Sequence, residues 1–111
     1  MTVDEQLKNA GVQVIHRFAG GLYAKELRVP AGAQIGKHLH DFDHFSALMQ
    51  GSATVDVDGV CAVHHAPQLL TIGAGRLHVI TAITDVVWHC IHATDEADAD
   101  KVDAALIEGK S

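Results

Sequence analysis

Turn-forming residues interrupt this chain at short intervals, and that punctuation constrains its fold more than any other feature. Glycine and proline fall at Gly20-Gly21, Pro30-Ala31-Gly32, Gly36, Gly51, Asp58-Gly59, Pro67 and Gly73-Ala74-Gly75. Between them lie β-prone runs, which predict strands over 12–18, 22–29, 35–40, 44–50, 52–57, 60–65, 68–72, 77–83 and 85–93. Val55-Asp56-Val57 followed by Asp58-Gly59 is a hairpin signal, because the Asp-Gly pair suits a tight two-residue turn. Many short strands at this spacing predict an all-β sandwich or barrel. A length of 111 residues allows one such domain, 1–111, and no repeat, linker or low-complexity segment divides it.

The two ends read differently from the middle. Residues 3–10 are either a short helix or a loose arm. Residues 95–109 predict a short C-terminal helix: acids crowd its start, Gly109 follows its end, and Val102, Ala105 and Leu106 form one apolar stripe. Such a helix would strap a barrel spanning about 12–93. With 48% hydrophobic and 20% charged residues the chain can build a core, which excludes disorder. A net charge of −6 without any basic run excludes a nucleic-acid backbone as partner. No apolar stretch approaches the roughly 20 residues of a membrane span. The opening MTVDEQLKNAG is polar and acidic, unlike a signal peptide, and Cys61 and Cys90 make no disulfide framework. The expectation is a soluble cytoplasmic domain with both thiols reduced.

Nine histidines in so short a chain pose a metal question. The sharpest cluster is His38-Leu39-His40-Asp41-Phe42-Asp43-His44. On a strand, residues two apart share a face, so His38 and His40 project together. Asp41-Phe42-Asp43 can turn the chain and let His44 open the next strand toward the same point. His78, just past Gly73-Ala74-Gly75, adds a fourth imidazole. Four such donors suit a first-row metal. His40 and His44 are also four apart, as on a zinc-peptidase helix. That helix needs a glutamate where Asp41 stands, and the surroundings here are strand-like.

Gly32-x5-His38-x-His40-x3-His44-x6-Gly51 resembles the first motif of the cupins, with His44 at the position that most cupins give to a glutamate ligand. Their second motif is kept only at Gly75 and His78. Pro67, Gly73 and Ala82 stand at its first glycine, proline and asparagine positions. The resemblance covers about 12–93 and implies a double-stranded β-helix, a jelly-roll barrel with one divalent ion in its mouth. It makes His38, His40, His44 and His78 the ligands, as in the four-histidine cupins, with manganese, iron, nickel and zinc all open. Four neutral imidazoles leave the full charge on the ion and strengthen it as a Lewis acid. On an octahedral ion two positions would stay open for a substrate, whereas a four-ligand tetrahedral zinc would be closed.

Trp88, Cys90 and His92 share one face of the last predicted strand and are candidates for the pocket wall, with His92, if it faces in, or a bound water the candidate catalytic base. The opposite phase, Val87, His89 and Ile91, is equally apolar and leaves the inward face open. Phe42 and Tyr23 are candidates for the mouth. His64 and His65 put one imidazole on each strand face and read as surface. These features support a metal-dependent enzyme of dioxygenase or oxidoreductase type acting on a small organic molecule. The alternative is a metal- or ligand-sensing cupin without turnover, and an isomerase of the sugar-epimerase sort ranks third. A homodimer is expected, because a small jelly roll has little core and exposed strand edges, and the apolar faces of 12–18 and 60–65 would cover them.

Overall fold

The computed structural model describes residues 3–36, 44–73 and 75–93. Among these a helix, α1 (Val3–Asn9), precedes nine strands: β1 (Gln13–Ala19), β2 (Leu22–Val29), β3 (Gln34–Ile35), β4 (His44–Gln50), β5 (Ser52–Val57), β6 (Val60–His65), β7 (Gln68–Ile72), β8 (His78–Ala82) and β9 (Val86–Ala93). The N-terminal segment is thus a helix rather than a loose arm, with Asp4 and Glu5 in its first turn and Lys8 in its last, each where the helix dipole favours its charge. The strand expected over 35–40 is a strand at Gln34–Ile35, and 37–43 lies outside the described residues. The helix expected at 95–109 also lies outside them.

The strands form two antiparallel sheets, β1-β2-β9-β4-β7 and β3-β8-β5-β6. Each presents alternate residues to the space between them. On the inner face of the first sheet Leu27, Trp88 and Leu48 lie side by side across β2, β9 and β4. All three are buried and pack with Val55, Ile80 and Ala82 of the second sheet. Burying side chains of this size supplies about 1.5–3 kcal/mol each.

Two turns fix the strand ends. Asp58 and Gly59 both have positive φ, +50° and +89°, the backbone of a tight primed hairpin turn, and Asp56 Oδ1 accepts from Gly59 N at 2.9 Å. Between β4 and β5, Gly51 has φ +87°, and a Cβ there would overlap the carbonyl oxygen of Asp85. Only glycine satisfies both demands.

One position breaks the alternation. Glu26 lies on the outer face of β2, opposite in phase to Tyr23, Lys25 and Leu27, yet it is 5% exposed. Arg17 Nη1 donates to its Oε1 at 2.5 Å, Arg28 Nε to its Oε2 at 2.8 Å, and His89 Nε2 lies 3.1 Å from Oε1. The hydrogen bond from Arg17, then that from Arg28, hold its carboxyl down to about 2 against the desolvation that would raise it.

Candidate functional site

His44 opens β4, and its side chain faces inward with those of Ser46 and Leu48. His78 opens β8 on the opposite sheet, paired with Val57, and is 5% exposed. The segment before His78 is tied to the β5–β6 hairpin. Leu77 N donates to Asp58 Oδ1 at 3.2 Å, Asp58 N donates to Leu77 O at 3.2 Å, and Arg76 Nη1 lies 3.8 Å from Asp58 Oδ2. His78 Nδ1 donates to the backbone oxygen of Arg76 at 2.9 Å. That bond sets the tautomer and leaves the lone pair on Nε2, the arrangement a metal-ligating imidazole requires.

His44 and His78 line one cavity of about 50 Å³ inside the barrel, with Ser46, Cys90 and Trp88 and an apolar wall that includes Leu27, Ile35 and Ile80. The inward phase of β9 is therefore the one carrying Trp88 and Cys90. The opposite phase faces out, where His89 meets Glu26. Among the described residues no three histidine, cysteine, aspartate or glutamate side chains group as a metal site. His38, His40 and Phe42 lie outside the described residues.

His92 is buried against His44, with ring centroids 4.4 Å apart, and is not one of the described residues lining the cavity. Behind it lies Tyr23, stacked on His92 at 6.2 Å. Tyr23 is completely buried and stands in this second layer rather than at the cavity wall. A polar chain continues to the N-terminal helix. Asp4 Oδ2 lies 2.7 Å from His16 Nε2, and Tyr23 Oη lies 2.6 Å from His16 Nδ1. A carboxylate only accepts, so His16 Nε2–H donates to it, and in the neutral ring Nδ1 accepts from the tyrosine hydroxyl. Lys25, also facing inward and 7% exposed, reaches Asp4 Oδ1 at 3.4 Å.

The sequence reading did not single out Ser46, Lys25 or His16. Ser46 was reachable from it, because it stands two residues beyond His44 on the same strand face. His64 and His65 sit on β6 away from the cavity, near Gln68 and Ser52 respectively.

No protein-family model and no curated protein matches the chain. Solved structures do. A cupin superfamily protein from Desulfitobacterium hafniense superposes with a TM-score of 0.66 at 15% identity, over 76% of this chain and 78% of that one. An RmlC-like cupin family protein with a double-stranded β-helix fold from Methanocaldococcus jannaschii gives 0.65 at 14% identity, over 75% and 80%. Salicylate 1,2-dioxygenase from Pseudoaminobacter salicylatoxidans, in complex with gentisate, gives 0.67 at 11% identity, over 81% of this chain and 29% of that longer one. The chain has the double-stranded β-helix fold of the cupins.

Proposed function

We propose that the chain is a cytoplasmic, homodimeric cupin that uses one divalent transition metal to act on a small organic molecule, in a reaction of dioxygenase or oxidoreductase type. The observation that carries this reading is the meeting of His44 and His78, from opposite sheets, on one buried cavity, with the Nε2 lone pair of His78 made available by its bond to Arg76. With His38 and His40 of the same motif they would hold the ion. A divalent ion there supplies Lewis acidity and open coordination positions for ligand oxygens. The chain's own residues do the rest. Arg76 orients His78, His92 packs on His44 as a positioning residue, and Trp88, Ile35 and Ile80 exclude water from the cavity.

Elemental analysis of protein purified without added metal tests the reading. We expect about one first-row ion per chain, with at least tenfold weaker retention in His44→Ala and His78→Ala. Unchanged metal content in both variants would refute it. The modest volume of the cavity favours a second reading, a metal- or ligand-sensing module without turnover, since active sites are commonly several hundred Å³. Turnover by the loaded protein of any small oxygenated substrate under air decides between the two.

No helix among the described residues is long and apolar enough to cross a membrane. Support for the dimer comes from β6, an edge strand whose Val60 and Val63 are 75% and 56% exposed on opposite faces, with no proline or lysine within Val60–His65 to deter pairing.

A further inference from the structure

We infer that the hydroxyl of Ser46 is the donor that orients a small carboxylate-bearing ligand in the cavity between His44 and His78; this deepens the functional reading above and rests on it. Ser46 sits in the middle of β4 with its side chain on the inner face, 1% exposed, and it lines the cavity. Its Oγ has no hydrogen-bond partner among the described residues. A buried hydroxyl in that state is destabilising, and folded proteins keep such a group where a water or a ligand completes it. The rest of the wall says which kind of ligand. Leu27, Ile35, Ile72, Ile80 and Trp88 are apolar. The polar lining is the Ser46 hydroxyl donor, the Cys90 thiol and two imidazoles, of which His78 keeps its Nε2 lone pair for an ion, and no carboxylate lines the cavity among the described residues. Cys90 is the cross-strand neighbour of Ser46, and Lys25 is the next residue along the same row, its ammonium facing Asp4. A hydroxyl donor and two histidines that would hold a divalent ion, set in an apolar wall without a carboxylate, select an anionic oxygen acceptor on a small carbon body. About 50 Å³ accommodates roughly three or four water-sized groups, the size of acetate.

Trp88 is the chain's single tryptophan and forms part of this wall, so its emission reports on the cavity. The test titrates sodium acetate, and acetamide as its uncharged counterpart, at constant ionic strength into metal-loaded and chelator-treated protein. Acetate is expected to change Trp88 emission saturably and acetamide to bind several-fold more weakly. Ser46→Ala should weaken acetate about tenfold, the loss of one hydrogen bond to a charged acceptor. Ser46→Cys, nearly isosteric but a weak donor, should fall between. Without acetate, Ser46→Ala should melt at the wild-type temperature or above, because it deletes an unsatisfied group. The inference is overturned if acetate leaves Trp88 unchanged in both forms of the wild type. It is equally overturned if Ser46→Ala binds acetate as wild type does, or melts several degrees lower, which would reveal a structural partner for the hydroxyl. Unchanged metal content in His44→Ala and His78→Ala, with the Ser46-dependent acetate response intact, would sink the metal reading alone. Normal metal content with a response indifferent to Ser46 would sink this inference alone.

Discussion

Lys25 and Glu26 are neighbours in sequence on opposite faces of β2, and both are buried. Alternation foretells one buried and one exposed residue at such a pair. It misses Glu26 because Arg17 and Arg28, from β1 and β2, fold their side chains over it. It leaves Lys25 unremarked because its partner comes from a helix far from the strand pattern. Glu26 has a readable signature in solution. Its carboxyl is held at about 2 against an ordinary 4.5, so its ion pairs stabilise the fold above pH 4.5, and that contribution is lost as pH falls from 4.5 through 2. Glu26→Gln should therefore lower the melting temperature near neutrality, and the gap to wild type should close below pH 3. Parallel thermal melts between pH 2 and 7 give the comparison, and a constant gap would contradict it. His44 and His78 were legible as a pair because glycine-bounded motifs framed both. Ser46 drew no notice, because a lone serine carries no chemical pattern of its own, and only its two-residue spacing from His44 places it on the same face.

At the scale of elements, the strands were legible and their joints supplied the reason. Asp58-Gly59 and Gly51 are positions where backbone geometry demands a particular residue, so they mark strand ends in the sequence as clearly as in space. Gly36, which follows the third strand, is another such position, with φ +80° and no room for a Cβ beside Ile80. Gly51→Ala should destabilise by about 2–4 kcal/mol, combining an unfavourable positive φ with overlap against the Asp85 carbonyl. Denaturant melts measure this directly, and a loss under about 1 kcal/mol would show that the β4–β5 joint relaxes freely. The Asp58 clamp carries a different expectation. Asp58→Ala removes the acceptor that holds Leu77 N and should cost His78 its fixed approach to the cavity. Metal retention should fall several-fold while the melting temperature of metal-free protein moves little. Equal metal retention would disconnect the hairpin from the site.

For the whole molecule, the β6 edge and the two thiols make separate forecasts. Light scattering should give twice the 11.8 kDa chain mass at micromolar concentration, and Val63→Lys, which plants a charge on that edge, should shift the population toward monomer. A wild-type monomer would end the dimer proposal. Thiol titration should count two per chain, Cys61 reacting rapidly because it is exposed and Cys90 slowly because it is half-buried in the cavity wall. Helix α1 reaches the interior of the barrel through the side chain of Asp4. Asp4 supplies the carboxylate that faces the Lys25 ammonium and holds His16 against Tyr23, so a seven-residue helix outside both sheets serves the barrel's interior. Asp4→Ala should keep every strand while taking this counter-charge from Lys25 and the acceptor from His16, and thermal melts near neutrality should show a lower melting temperature; an unchanged one would disconnect the helix from the interior. A complete list of strands is thus an incomplete account of the barrel, since one acid outside both sheets decides how two inward polar side chains are held.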